Sequence, residues 1–130
     1  MASLGIDEAL ARVTAACQAG ADASFVEAPP SLELLAQIGR RAPKPTVANM
    51  LEGGKTPVLP KSQLAEMGFQ LILYPLTALF AAAWAIGSLY QKLRTDGATL
   101  GEEHRLMSFG EFNTLIGVDE KYALAERFGA

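Results

Sequence analysis

ASFVEAPPSLELLAQI, residues 23–38, contains one complete pattern of strand, turn and helix. Its first six residues are almost wholly apolar, which is typical of a strand that is buried on both faces. A Pro-Pro-Ser turn follows at residues 29–31. Leu32, Leu35 and Ile38 then recur at the spacing that puts side chains on one face of a helix. The stretch therefore predicts a β-α unit.

The same order recurs twice downstream. PTVAN, residues 45–49, is followed by a Gly-Gly turn and by a short helical pattern over residues 62–67. QLILY, residues 70–74, is followed by a long apolar helical pattern over residues 78–95. Apolar strands that alternate with helices predict a parallel sheet covered by helices. The expected fold class is thus α/β.

The composition changes towards the C-terminus. After Gly97 the chain becomes more polar, and Ser108 with Glu111 has the spacing of a capping box at the start of a helix. We therefore expect β/α units over residues 1–97 and a helical extension over residues 98–130.

Length, composition and net charge restrict the classes of function. A length of 130 residues with 50% hydrophobic residues is enough for one domain with a sizeable core. A net charge of −3 and the absence of a basic run argue against a nucleic-acid partner. The single cysteine excludes an internal disulfide, and the single histidine excludes a multi-histidine metal site. A reducing, cytoplasmic location is expected, and the acidic first residues do not form a signal peptide.

The uncharged run from Phe69 to Tyr90 is long enough to span a bilayer as one helix. Pro75 divides it into a β-prone part and an Ala-rich part that Thr77 could N-cap, and proline inside a helix is costly. We expect buried structure and no membrane partner, with a small membrane protein as the alternative.

ANMLEGGKTP, residues 48–57, has the end of a phosphate-binding loop but not its beginning. That motif needs a glycine five residues before the Gly-Lys pair, and Asn49 stands there. Pro57 and Pro60 would also deprive a first helical turn of the N–H groups that bind phosphate. The stretch is therefore not a nucleotide-binding loop.

Polar side chains instead stand where the predicted strands end. Glu27 ends the first strand, Asn49 the second and Tyr74 the third. In β/α barrels the active site is built at the carboxyl ends of the strands. The alternatives are an exposed carboxylate at a sheet edge for Glu27 and an ordinary turn residue for Asn49.

Four blocks carry a resemblance to a known family: GADASFVEAPPS, VANMLEGGKTP, LILYPLTAL and EFNTLIGVDEKYALAERF. Together they resemble the isocitrate lyase and phosphoenolpyruvate mutase superfamily, in its branch of methylisocitrate lyase, oxaloacetate decarboxylase and carboxyphosphonoenolpyruvate mutase-like members. The resemblance implies a partial β/α (TIM) barrel, made of the last three parallel strands with their helices plus C-terminal helices. It also implies chemistry on C–C or P–C bonds of 2-oxo and 2-hydroxy carboxylic acids, with Mg²⁺ as the family's cofactor.

The resemblance also implies roles for particular residues in binding a small carboxylic acid. Asn49 would donate to a substrate carboxylate, and Glu27 would belong to the polar network around metal and substrate. Leu76, at the centre of residues 75–77, would line the floor of the site. Leu51 stands where methylisocitrate lyases tend to have a hydroxyl residue, which favours a smaller substrate such as oxaloacetate.

The family's aspartate metal ligands, its cysteine loop and its arginine strand lie upstream of the matched region and are absent from this sequence. Met1 would then occupy an internal position of the barrel. We expect a C-terminal fragment or truncated member that has no catalytic or metal-ligand residue of its own. Such a chain is expected to be inactive alone and to bind no Mg²⁺ alone. The alternative is a non-catalytic oligomerisation module or pseudoenzyme.

The helix over residues 78–90 is apolar on every side, whereas an outer barrel helix normally keeps a polar face. By resemblance, the last barrel helix is exchanged between subunits. We therefore expect a homo-oligomer through this helix, and a chain that supplies the missing half barrel is a further expected partner. The contact would involve Leu79, Phe80, Trp84, Ile86 and Tyr90.

Overall fold

The computed structural model describes residues 5–129, so the predictions made for the first four residues, Met1 included, lie outside it. The elements in chain order are α1 (Gly5–Gln18), β1 (Ser24–Phe25), α2 (Leu32–Arg41), β2 (Thr46–Asn49), α3 (Lys61–Met67), β3 (Leu71–Leu73), α4 (Thr77–Asp96), a 3-10 helix (Glu103–Arg105), α5 (Phe109–Leu115) and α6 (Val118–Phe128). Contacts divide the chain into two compact units, Met1–Ala82 and Ala83–Ala130. The domain boundary after residue 97 stays a prediction.

The three strands form one parallel sheet in the order β1-β2-β3. Phe25 pairs with Val47, and Val47 pairs in turn with Leu71, so these side chains form a row across the sheet. The predicted parallel α/β arrangement is confirmed. Each strand is shorter than its apolar run, and β1 in particular ends at Phe25, two residues before Glu27.

Only one face of the sheet is covered in the described chain. The face towards the helices is buried, with Thr46 and Met50 at 0% exposure and Ala48 at 2%. On the opposite face, which we call the open sheet face, Phe25, Val47, Leu71 and Leu73 alternate with those residues. Three of these four side chains are exposed and Val47 is half-buried. The expectation that the strands are covered on both faces is therefore wrong for this chain by itself.

Helices α2 and α3 approach each other through two glycines. Ser31 caps α2 by accepting from the Leu34 N–H at 3.3 Å. A Cβ on Gly68 would lie 2.5 Å from the Gly39 carbonyl oxygen, which is far inside van der Waals contact. The Lys44 ammonium donates to the carbonyl oxygens of Gly39 and Gly68 and joins the ends of the two helices. Glycine at both positions is thus required by the packing.

Polar contacts within the unit Ala83–Ala130 include a helix cap and an ion pair. The Ser108 hydroxyl accepts from the Glu111 N–H at 3.2 Å, and the Glu111 carboxylate accepts from the Ser108 N–H at 3.0 Å. This confirms the predicted capping box. The Arg105 guanidinium lies 5.3 Å from the centre of the Trp84 ring and pairs with Glu102 at 2.7 Å.

The structure also bears on the uncharged run between Phe69 and Tyr90. Within residues 5–129, no helix is both long enough and apolar enough to cross a membrane. The run contains β3, a turn and most of α4, as the position of Pro75 predicts. The predicted N-cap is wrong, because Thr77 is the first residue of α4 and its hydroxyl bonds elsewhere.

Candidate functional site

The carboxyl ends of the three parallel strands lie at one edge of the sheet. Asn49 is the last residue of β2 and pairs with Leu73 of β3. β1 pairs with β2 up to Phe25 and Val47, and Glu27 follows that last pair by two residues. The fold therefore places Glu27 and Asn49, which are 22 positions apart in the sequence, on neighbouring chain segments at the same edge.

Asn49 carries an unmatched polar atom. Its residue is half-buried, and its Oδ1 is buried without a hydrogen-bond partner among the described residues. Leaving such an acceptor unpaired costs about 1–3 kcal/mol, so native structures rarely tolerate it. The backbone beside it is fixed, since the Met50 N–H donates to the Leu73 carbonyl at 2.8 Å. Asn49 thus has a fixed backbone and a side-chain oxygen that needs a polar partner.

Glu27 is exposed and is followed by an unusual backbone. Ala28 has φ 53°, in the left-handed region that residues with a Cβ seldom adopt. This turn and the two prolines after it end the strand early and leave the Glu27 carboxylate beyond the last ladder pair. Backbone strain of this kind is found at functional sites.

A cavity of about 220 Å³ lies beside Glu27. Its lining combines the Glu27 carboxylate with the guanidinium of Arg12, which also pairs with Glu8 at 2.8 Å. The remaining lining residues are apolar: Ala9, Val13, Phe25 and Val26.

Leu76 lies between β3 and α4, on the same side of the sheet as the end of β2. It is half-buried, and its carbonyl accepts from the Phe80 N–H at 2.8 Å as the first hydrogen bond of α4. Its backbone is therefore committed to the helix, and its side chain adds apolar surface near the strand ends.

A contact that the sequence did not predict joins Glu52 to Thr77. The Thr77 hydroxyl donates to the Glu52 carboxylate at 2.6 Å across 25 positions of sequence. This hydrogen bond, with backbone donors, holds the pKa of Glu52 below its usual range, so the carboxylate is ionised at neutral pH. The sequence does not indicate this contact, because a charged residue in a loop, such as Glu52, is usually solvated.

Mg²⁺ prefers near-octahedral oxygen ligands, usually one or two carboxylates with water and substrate oxygens. Among residues 5–129, no group of three or more His, Cys, Asp or Glu side chains is placed to hold a metal. That this chain binds no Mg²⁺ alone stays a prediction.

No protein-family model matches the chain. It is 42% identical over 127 residues to a chloroplastic carboxyvinyl-carboxyphosphonate phosphorylmutase of Arabidopsis thaliana, covering 98% of the chain and 38% of that protein. It is 39% identical over 116 residues to the 2,3-dimethylmalate lyase of Eubacterium barkeri, covering 89% of the chain and 40% of the lyase. The chain thus spans less than half the length of these relatives.

Solved structures also match the chain over less than half of their own length. A crystal structure of 2,3-dimethylmalate lyase, described as a PEP mutase/isocitrate lyase superfamily member, matches with TM-score 0.82 and 34% identity over 96% of this chain and 44% of that one. A phosphonopyruvate hydrolase complex with oxalate and Mg²⁺ matches with TM-score 0.76 and 27% identity over 98% and 45%. The predicted partial β/α barrel is confirmed. The chain belongs to the PEP mutase/isocitrate lyase superfamily and corresponds to a C-terminal part of its members.

Proposed function

We propose that this chain supplies substrate-binding strand ends to a Mg²⁺-dependent lyase that acts on C–C or P–C bonds of 2-oxo or 2-hydroxy carboxylic acids. The observation that carries the proposal is Asn49, the last residue of β2, whose Oδ1 is buried without a partner among the described residues. Its position at the edge where barrel enzymes bind substrate, with Glu27 on the neighbouring segment, supports the same function.

Each residue has a distinct role in this proposal. The Asn49 amide N–H donates to a substrate carboxylate, and its Oδ1 accepts from a polar group that arrives with the substrate or with the rest of the barrel. Glu27 joins the polar network around metal and substrate. Leu76 forms part of the floor, and Leu51 favours a smaller acid such as oxaloacetate.

The rest of the site comes from other β/α units. The open sheet face is apolar, and Leu71 and Leu73 are 47% and 49% exposed on it. The outer edges of β1 and β3 also carry backbone groups that no strand of the described sheet pairs. A polypeptide with further parallel strands would cover this face and supply the metal ligands, in the cytoplasm or another reducing compartment.

The chain alone is expected to show no turnover of oxaloacetate, methylisocitrate or 2,3-dimethylmalate with Mg²⁺. Without metal ligands it lacks the charge stabilisation on which the lyase reaction depends. A hybrid enzyme, in which the chain replaces the matching segment of the Eubacterium barkeri 2,3-dimethylmalate lyase, is expected to turn over that lyase's substrate. Steady-state assays measure turnover by the isolated chain and by the hybrid enzyme.

Two results would contradict this proposal. One is turnover by the isolated chain that Glu27→Gln abolishes, because the chain would then need no further units. The other is a hybrid that folds, as judged by circular dichroism, and binds Mg²⁺ but turns over none of the three acids.

A second function is favoured by a separate observation. Helix α4 exposes large apolar side chains, with Trp84 at 71%, Tyr90 at 68% and Leu79 at 60%. Exposure on this scale marks an interaction surface. We propose that α4 mediates a homo-oligomer, and a non-catalytic oligomerisation module is the alternative function if the hybrid enzyme is inactive.

A further inference from the structure

The hydrogen-bond ladder between β2 and β3 includes Asn49, which pairs with Leu73. Its last bond runs from the Met50 N–H to the Leu73 carbonyl at 2.8 Å. Beyond it, residues 51–60 form a loop without a helix or strand, while the other segment turns into α4. Leu51 and Leu76 lie on these two separating segments, so their relative position depends on what joins the segments beyond the ladder.

The first part of the loop contains two consecutive glycines, whereas Thr56, farther on, is buried. Gly53 has φ +73°, a Cβ there would meet nothing within 4 Å, and Gly54 follows it. Two glycines in sequence leave the backbone with more conformational freedom than any other residue pair. The Gly54 N–H does donate to the Leu51 carbonyl at 3.0 Å, but that bond lies within the loop and does not join it to α4.

Two contacts cross the gap. The stronger is the Thr77 hydroxyl donating to the Glu52 carboxylate at 2.6 Å, and the weaker is the Tyr74 hydroxyl donating to the Leu59 carbonyl at 3.4 Å. Hydrogen bonds that involve an ionised carboxylate are short and about twice as strong as neutral ones. The Glu52 carboxylate also lies at the N-terminus of α4, where the helix dipole favours negative charge.

We propose that Glu52 and Thr77 are positioning residues, whose hydrogen bond fixes the loop after Asn49 against the start of α4 and so holds Leu51 and Leu76 in place relative to each other. The inference rests on the proposed function, because it concerns the same site. The Thr77 hydroxyl can take this role because it does not cap α4. The first backbone hydrogen bond of α4 runs from the Phe80 N–H to the Leu76 carbonyl.

The test uses the full chain, without substrate, and two substitutions of Thr77. Thr77→Val keeps the shape of the side chain but removes the donor, whereas Thr77→Ser keeps the donor. In NMR spectra, Thr77→Val is expected to shift the side-chain methyl signals of Leu51 and to raise the pKa of Glu52 towards its ordinary value. It should also accelerate amide exchange in residues 51–56 by about tenfold, the effect of losing about 1.4 kcal/mol of local stability. Thr77→Ser is expected to restore all three properties.

Thr14→Val in α1 is the matched control, because it removes a threonine hydroxyl far along the chain, and it should change none of these signals. The inference is overturned if the Leu51 methyl signals are the same in the wild type, Thr77→Val and Thr77→Ser. It is also overturned if Thr77→Ser fails to restore them. These NMR and exchange measurements do not depend on turnover. An inactive hybrid enzyme would therefore contradict the proposed function but would not bear on the positioning role of Glu52 and Thr77.

Discussion

Gly39→Ala is expected to lower the free energy of unfolding by about 3 kcal/mol or more. The added Cβ would overlap the Met67 carbonyl oxygen and lie 2.9 Å from a carbon of the Phe69 ring. Neither neighbour can move easily, because Phe69 is 4% exposed in the core and the Met67 carbonyl is backbone. Alanine's better helix propensity, about 1 kcal/mol, offsets only part of the clash.

Gly110→Ala in α5 is the matched control for this substitution. A Cβ on Gly110 would meet nothing within 4 Å, so propensity alone should act there and raise stability by up to about 1 kcal/mol. Chemical denaturation at one protein concentration, followed by circular dichroism, measures both changes. If Gly39→Ala is as stable as the wild type, the close approach of α2 to α3 is wrong.

Trp84→Asp is expected to convert a homo-oligomer into monomers or aggregates. The Trp84 ring is 71% exposed although Arg105 lies over it, and it shares α4 with other exposed apolar side chains. Burial of such rings against a second copy contributes about 25 cal/mol per Å², and a buried aspartate would add a desolvation cost. The exposed apolar residues of α4 are Leu79, Phe80, Trp84, Ile86, Tyr90 and Leu93.

Gln91→Glu is the control for the added charge. It places one negative charge on the same helix but removes no apolar surface. It also keeps an acceptor for the Arg94 guanidinium, which donates to the side-chain oxygen Oε1 of Gln91 at 2.9 Å. Light scattering at micromolar concentration should find the oligomer retained in this variant and lost in Trp84→Asp. A wild-type chain that is a folded, monodisperse monomer would rule out the oligomer.

Much of the fold follows from local rules that act within one segment. The apolar runs around Phe25, Val47 and Ile72 are β-prone and lie between helical patterns, which is sufficient for parallel β-α units. The capping box of Ser108 and Glu111 needs only residues three positions apart, so its spacing identifies it. The position of Asn49 at the end of β2 follows from the same units, whereas Glu27 lies two residues beyond the end of β1.

The remaining features depend on contacts between distant segments. The bond from Thr77 to Glu52 and the crossing at Gly39 and Gly68 join residues 25 and 29 positions apart, and no periodicity encodes them. The early end of β1 results from the backbone of Ala28, a residue type that rarely adopts positive φ. The open sheet face differs from its predicted burial because the apolar pattern describes strands of a whole barrel.

Asn49→Ala in the hybrid enzyme tests most directly whether this edge of the sheet binds substrate. A hydrogen bond to a charged group is worth about 1.5–3 kcal/mol, so kcat/KM for 2,3-dimethylmalate should fall by about 10- to 100-fold. Asn113→Ala in α5, the matched substitution outside the site, should leave kcat/KM within about twofold of the unsubstituted hybrid, the scale of a neutral surface change. Equal kcat/KM values for the two variants, with both folded, would contradict substrate binding at this edge of the sheet.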